Sequence, residues 1–219
     1  MPNYLFFIIF IFICYLLGST PTSIITGRII KGVDIRDHGS GNAGGTNVFR
    51  ILGWKPGLFV IIIDILKGWI PVAILAPKFY LFGPISDLGV VQIISGFAAV
   101  LGHTYTIFAK FKGGKGVGTL GGMIIALFPT VFPFCLLIAI ITLIMTGYVS
   151  LASIIASCSL PILLLVIPPF LNVYPAPLSI MIFSLLIPWF IIYTHRSNIQ
   201  RIRNGDENQF KKAMIFRKD

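Results

Sequence analysis

Long apolar stretches alternate with short polar segments along the chain. The clearest apolar stretches cover about residues 4–25, 56–76, 88–108 and 178–193. Because about 20 apolar residues cross the hydrocarbon core of a bilayer as a helix, each stretch predicts a membrane span. The period-two alternation of membrane β-barrels is absent, so the pattern favours an all-α integral membrane protein.

The apolar segment 117–177 is harder to divide into spans. Proline disfavours a continuous helix, although kinked membrane helices tolerate it. Two long spans or three shorter ones fit this length. The segment is interrupted by Pro129, Pro133, Gly147, Pro161, Pro168 and Pro169.

Basic residues decide the orientation of the predicted bundle. The net charge is +10, and residues 28–55, 110–115 and 195–219 carry five, three and seven Lys or Arg, which is 15 of the 17 in the chain. The positive-inside rule places these regions in the cytoplasm, with the N-terminus outside and the C-terminus inside. An even number of spans must then separate the second region from the third. Four short spans use residues 116–194 better than two, which predicts seven transmembrane helices in all, with five as the alternative, in a single domain over residues 1–219.

The basic regions also contain polar residues that orientation alone does not require. The first polar segment, residues 31–53, reads KGVDIRDHGSGNAGGTNVFRILG. Its glycines let a ligand approach the main chain, and successive exposed N–H groups bind anions. Side-chain donors and one arginine are added to these groups, so an anion site is favoured over a flexible linker. They are Ser40, Asn42, Thr46, Asn47 and Arg50.

The second polar segment, residues 102–119, reads GHTYTIFAKFKGGKGVGT. Gly113, Gly114 and Lys115 lie where a helix could begin, and a helix N-terminus favours an anion. A Walker A loop is excluded because Ala109 and Gly116 occupy positions where that motif needs Gly and Ser or Thr. The alternative is a basic turn that only fixes orientation.

The third polar segment, residues 194–210, reads THRSNIQRIRNGDENQF. His195 and Asn198 would share a face of a helix that continues from the last span. Glu207 either orients a cation within the site or lies in solvent. At least two of the three arginines, Arg196, Arg201 and Arg203, are expected to contact lipid headgroups.

Two charged residues, Asp64 and Lys67, fall inside the second predicted span. Charges at this depth are costly and usually paired, and a spacing of three residues allows a mutual ion pair. A structural pair is the main interpretation, and support of the site from below is the alternative.

The sequence lacks the motifs of metal-dependent and acyl-enzyme catalysis, which limits the reactions that the protein could catalyse. The sequence has three His and no HExxH or carboxylate cluster, so no metal and no other cofactor is expected. His38 and Asn42 replace the outer glycines of a G-x-S-x-G elbow around Ser40, which leaves no good acyl-enzyme nucleophile. Many anion donors with few acids and bases suit a reaction of an already activated substrate.

Three blocks resemble the motifs of the bacterial acyl-phosphate:glycerol-3-phosphate acyltransferases, the PlsY family, in the family's order. The blocks are GSTPTSIITGRIIKGVDIRDHGSGNAGGTNVFRILG, GHTYTIFAKFKGGKGVGT and HRSNIQRIRNGDE, with DILKG at 64–68. The chain departs from the family's pattern at Gly45, Thr106 and Gly118, where Ala, Pro and Ala are usual.

The resemblance implies a seven-span enzyme of the bacterial inner membrane with its active site on the cytoplasmic face. It implies transfer of an acyl group from acyl-phosphate to the 1-hydroxyl of glycerol 3-phosphate, the first step of phospholipid synthesis, which gives lysophosphatidic acid and phosphate. The implied partners are these substrates and membrane lipid, not nucleic acid.

The resemblance also assigns residues. Ser40, Arg50 and Lys115 would hold phosphate, and His195 and Asn198 would contact the glycerol phosphate. Together these five are the expected catalytic residues. The remaining expected binding residues are Asn42, Gly44, Gly45, Thr46, Asn47, His103, Gly113, Gly114 and Glu207.

Two other functions are weighed against the transferase. An organic-phosphate transporter needs polar groups along a path at mid-membrane, where only Asp64 and Lys67 qualify. A lipid-scaffolding protein would use the basic face alone and would not need the two asparagines of the first polar segment.

Overall fold

The computed structural model describes residues 4–173, 177–210 and 214, and it is helical over most of these ranges. Four basic residues of the third predicted cytoplasmic region lie outside the described residues: Lys211, Lys212, Arg217 and Lys218. The chain forms two compact units, residues 1–127 and 128–219.

The described residues of the first unit form seven α-helices. They are α1 (Tyr4–Ser19), α2 (Thr22–Lys31), α3 (Gly45–Leu52), α4 (Trp54–Ile70), α5 (Ala76–Tyr80), α6 (Leu88–Thr104) and α7 (Val117–Leu127). A π-helical turn, Pro71–Leu75, joins α4 to α5, so that Trp54–Tyr80 is one continuous helical segment. Carbonyls loosened at this turn accept hydrogen bonds from α6: Gln92 Nε2 donates to Val72 O at 3.2 Å and Ser95 Oγ to Pro71 O at 3.3 Å.

The second unit contains α8 (Phe132–Thr146), α9 (Val149–Phe170), α10 (Leu178–Thr194) and α11 (Arg196–Asn204). Gly147 adopts the left-handed conformation that ends α8. Pro161, Pro168 and Pro169 lie inside α9, which nevertheless continues over 22 residues. These prolines therefore do not divide the segment.

Helix lengths confirm the membrane character but not the number of crossings. Among the described residues, four helical segments are long and apolar enough to span a bilayer, or five when the bent pair α10–α11 is counted. The described residues between 116 and 194 form four α-helices, where the sequence predicted four spans. Two of them, α7 and α8, have 11 and 15 residues, so seven crossings and the orientation of the termini stay predictions.

Glycines set the closest helix contacts, as expected where lipid replaces water outside the bundle. In α1 and α6, a Cβ at Gly18 would overlap the Ala99 carbonyl, and one at Gly102 would overlap that of Tyr15. The large apolar side chains point outward instead. Leu5, Phe6 and Ile8 are more than half exposed, as suits a lipid-facing surface.

The crossing of α4 and α7 offers a test of this packing. A Cβ at Gly122 would overlap the Ile65 carbonyl, whereas a Cβ at the neighbouring Gly121 would have no atom within 4 Å. Gly122→Ala should lower the free energy of unfolding by about 1–3 kcal/mol, because the backbones must separate. Gly121→Ala should leave it unchanged or raise it by up to about 1 kcal/mol through helix propensity. Thermal unfolding in detergent measures both, and equal melting temperatures for the two variants would contradict this packing.

Candidate functional site

The first polar segment is folded around Asn47, which is 1% exposed. Its Oδ1 accepts a hydrogen bond from Ser40 N at 2.9 Å, and its Nδ2 donates to Ile35 O and His38 O, each at 2.9 Å. Both amide hydrogens are thus directed to carbonyls of the segment itself. Asn47 therefore shapes the loop that presents Ser40, and this structure does not support the predicted direct donation by Asn47 to a phosphate.

Helix α3 begins within the predicted binding residues. Gly44 precedes the helix, and Gly45 and Thr46 form its first turn. The N–H groups at a helix start carry partial positive charge, which favours an anion. A Cβ at Gly45 would overlap the Ile61 side chain, so the departure from alanine here fits close packing of α3 on α4. Asn42 lies in the loop before α3 and is half-buried.

The second polar segment folds back on the end of α6. Gly113 N donates to Thr104 O at 3.0 Å and Gly114 N to His103 O at 3.1 Å. A Cβ at Gly114 would overlap His103 Nε2 and would lie 2.8 Å from Ala43 O. The first and second polar segments therefore meet at Gly114, where a side chain has no room. Lys115 follows directly and α7 begins at Val117, which confirms the predicted helix start.

A buried charge network lies beneath these segments. Lys67 Nζ donates to Asp64 Oδ1 at 2.7 Å and to Thr20 O at 2.6 Å. His103 Nδ1 is 3.6 Å from the same Asp64 oxygen. The predicted ion pair is confirmed. Asp64 also lies close to His103, and support of the site from below stays a prediction.

Thr106 is also tied into the base of the second polar segment. Its hydroxyl donates to the Ser19 carbonyl, at the end of α1. Proline has no such donor, so the departure from the family's pattern adds an anchor between α1 and this segment. His103 remains packed against Gly114.

In the second unit, α10 and α11 are bent by 58° at His195, so the last span does not continue straight into the third polar segment. His195 and Asn198 are nonetheless both buried, at 3% and 4% exposure. His195 Nδ1 lies 2.8 Å from Ile191 O. A carbonyl only accepts, so this contact assigns a proton to Nδ1, and in the neutral ring Nε2 is then the acceptor nitrogen.

Glu207 is a hub of hydrogen bonds. Its carboxylate accepts from Asn198 Nδ2 at 2.6 Å, Arg201 Nε at 2.7 Å and Ser150 Oγ at 2.8 Å, and its side chain is 5% exposed. Burial by itself would raise the pKa of Glu207, but the bonds from Asn198, Ser150 and Arg201 outweigh burial and hold it below its usual value. Of the two predicted alternatives, a position in solvent is wrong, whereas pairing with a cation agrees with the contact to Arg201. An ionised carboxylate repels phosphate, so the geometry gives Glu207 the role of orienting Asn198, rather than the predicted contact with substrate.

The chain is similar to known proteins over most of its length. A family model described as glycerol-3-phosphate acyltransferase matches residues 8–205. The chain belongs to this family. It is 42% identical over 223 residues to a glycerol-3-phosphate acyltransferase of Chlorobaculum parvum, and 40% identical over 226 residues to one of Chlorobium phaeobacteroides strain BS1, with 93% of this chain and 96% of each relative covered.

Solved structures of family members are similar as well. Crystal structures of PlsY (YgiH), an integral membrane glycerol 3-phosphate acyltransferase, match with a TM-score of 0.77 and 39% identity over 93% of this chain and 95% of that chain. One is the lysophosphatidic acid form and the other the glycerol 3-phosphate form.

Removing one charge of the buried Asp64–Lys67 pair should destabilise the protein more than removing both charges. Asp64→Asn leaves the Lys67 ammonium without its anion, which typically lowers the free energy of unfolding by about 3–5 kcal/mol. The double variant D64N/K67M removes both charges and should melt, in detergent, closer to the wild-type temperature than D64N does. An additive or larger loss in the double variant would show that the charges themselves are not coupled.

The hydrogen bonds to Glu207 predict a pH effect on stability. Its folded pKa lies below the ordinary value of 4.5, so its contribution is fully present above that pH and is lost as pH falls through the folded pKa. The difference in melting temperature between wild type and Glu207→Gln should therefore be constant at neutral pH and shrink below about pH 4.5. A difference that does not change with pH would contradict this assignment.

Proposed function

We propose that the protein transfers a fatty acyl group to the 1-hydroxyl of glycerol 3-phosphate, with acyl-phosphate as donor and lysophosphatidic acid and phosphate as products. The observation that carries this proposal is the meeting of the two glycine-rich segments at Gly114, in a chain of the glycerol-3-phosphate acyltransferase family. This contact supports the proposal because it joins, within the first unit, the two segments that carry Ser40, Arg50 and Lys115.

The residues take the roles that the motifs assign. Ser40, Arg50 and Lys115 hold phosphate, and the start of α3 supplies backbone donors. Two phosphate-bearing substrates repel each other, and the two cations reduce that repulsion as the substrates approach. His195 and Asn198, the latter oriented by Glu207, contact the glycerol phosphate.

The reaction needs orientation more than a strong nucleophile. The hydroxyl attacks the carbonyl carbon of a mixed anhydride, the C–O bond to phosphate breaks, and phosphate leaves with that electron pair. A substrate phosphate accepts the hydroxyl proton. The rival base is a histidine, His195 or His103. Loss of turnover without weaker glycerol 3-phosphate binding on replacing either histidine would favour the rival.

The acyl chain needs no aqueous route in this scheme. It remains in the bilayer while its phosphate reaches the polar face. We place this face in the cytoplasm and the protein in the bacterial inner membrane, because most of the basic residues flank the predicted spans on that side. The seven-span arrangement is part of the same proposal.

A transporter finds no support in the structure. Its path would need the mid-membrane charges Asp64 and Lys67, but these two are buried and bonded to each other.

The decisive experiment is an assay of the purified protein with acyl-phosphate and glycerol 3-phosphate. Phosphate release should require both substrates, with lysophosphatidic acid identified by mass spectrometry, and acyl-CoA should not replace acyl-phosphate. Lys115→Gln should lower kcat/KM on the order of 100-fold or more, as expected for an electrostatic contact to the reacting phosphate. Lys112→Gln, the same change on an exposed side chain of the same segment, should have little effect.

Two outcomes would contradict the proposal. Phosphate release independent of glycerol 3-phosphate would indicate hydrolysis rather than transfer. Equal losses in the two lysine variants would indicate that net charge of the segment, rather than Lys115 itself, supports activity.

A further inference from the structure

Arg36 connects the first polar segment to the second. Its Nε and Nη2 donate to the two oxygens of Asp34, at 3.0 and 2.7 Å. Its Nη1 donates to two carbonyls of the second polar segment, Ala109 O and Lys112 O, each at 3.1 Å. One guanidinium therefore joins main chain that is more than 70 residues apart in sequence.

The carboxylate fixes the direction of this guanidinium. Asp34 caps the short helix 35–37 by accepting from Arg36 N at 3.0 Å, and so holds both the backbone and the side chain of Arg36. The hydrogen bond from the Arg36 side chain lowers the pKa of Asp34 to about 2. The pair is therefore fully charged at neutral pH.

The two carbonyls bound by Arg36 flank a strained piece of backbone. Lys110 and Phe111, which lie between them, have φ angles of 56° and 57°. These values fall in the left-handed region, which residues other than glycine rarely adopt. Such conformations cost about 1–3 kcal/mol each and persist where surrounding contacts over-determine them. Arg36 supplies contacts of this kind on both sides of the pair.

We propose that Arg36 is a positioning residue that locks the second polar segment against the first, so that the phosphate-binding groups of the two segments keep one relative placement. Ser40 follows Arg36 by four residues, and Lys115 follows the bonded carbonyl of Lys112 by three. The inference rests on the proposed function for its effect on catalysis, but the lock itself is testable without substrate.

The role requires the fork of an arginine rather than a positive charge. A lysine at this position could pair with Asp34 but has no planar set of donors to bind two carbonyls at the same time. Arg28 offers a matched control. Its Nη2 lies 3.8 Å from Asp34 Oδ2, the oxygen that also accepts from Arg36 Nη2, and its side chain is 68% exposed. Replacing Arg28 by Gln removes one positive charge, as in Arg36→Gln, but leaves the Arg36 hydrogen bonds in place.

The experiment compares wild type with Arg36→Gln, Arg36→Lys and Arg28→Gln in lipid nanodiscs. The first readout is cleavage by endoproteinase Lys-C after Lys110 and Lys112, since this protease does not cut at arginine. Loss of two charge-assisted hydrogen bonds should speed this cleavage about tenfold or more in R36Q. It should speed cleavage less in R36K and not measurably in R28Q.

The second readout is steady-state kinetics with palmitoyl phosphate and glycerol 3-phosphate. Each segment keeps its own ligands in R36Q, so each KM should change less than about threefold while kcat falls on the order of 10- to 100-fold, as expected for misplacement of reacting groups. R36K should fall between R36Q and wild type, and R28Q should match wild type.

Each alternative result has a definite meaning. Wild-type Lys-C cleavage in R36Q, or full kinetic function in R36K, would overturn the lock. An equal kinetic loss in R28Q would also overturn it, in favour of general charge. An inactive wild type that still shows the predicted cleavage pattern would reject the proposed function and leave the lock standing. If R36Q does not fold, Asp34→Asn releases the same guanidinium, and unchanged cleavage there would overturn the lock.

Discussion

A carboxylate buried among membrane helices must be surrounded by donors, and this requirement at Asp64 organises the first unit. Lys67 satisfies it from the same helix and reaches on to the Thr20 carbonyl between α1 and α2. His103 approaches from α6, and on the side of α7 a Cβ at Gly118 would lie 3.1 Å from the Asp64 Cβ. The Asp64 carboxylate thus sets how these helices pack against one another. Their lipid-facing surfaces contribute little to the choice of packing partner.

The polar segments depend on this network through His103. Its carbonyl accepts the Gly114 N–H, and its ring packs where a Gly114 side chain would lie. The glycine-rich sequence therefore has two purposes here. It leaves backbone donors accessible, and it lets the main chain lie directly against a side chain that the helices hold in place.

The sequence predicts the membrane class, the start of α7 and the Asp64–Lys67 pair because each depends on a local pattern. Apolar length predicts spans, glycines before an apolar run predict a helix start, and two charges three residues apart predict a pair. The parts that it missed depend on contacts between distant residues. Asn47 looked like a ligand because its type suits phosphate, and only the fold shows both of its amide hydrogens directed to carbonyls of its own segment.

Arg36 and Glu207 illustrate the same limit. Arg36 was counted among the basic residues that set orientation, and the sequence contains no sign that it would bind carbonyls more than 70 positions away. For Glu207 the sequence left a cation pair and a solvent position equally open, and only the fold shows the bond from Ser150 of α9 beside the pair with Arg201. The reciprocal glycines of α1 and α6 were a detectable signal, since small residues recur on one face of membrane helices at their contacts.

The three acids that accept hydrogen bonds from side chains have a shared consequence for the chemistry. Asp34, Asp64 and Glu207 each accept hydrogen bonds from cationic or amide side chains, so each positions a donor. A carboxylate engaged in this way is a poor proton acceptor, because protonation would break the bonds that hold its partners. In the proposed reaction these three acids are therefore not the base, and the hydroxyl proton goes to a histidine or to a substrate phosphate. The proposed scheme favours the phosphate, because in that scheme it is bound beside the hydroxyl when the reaction begins and its own negative charge, rather than a protein base, makes it an acceptor.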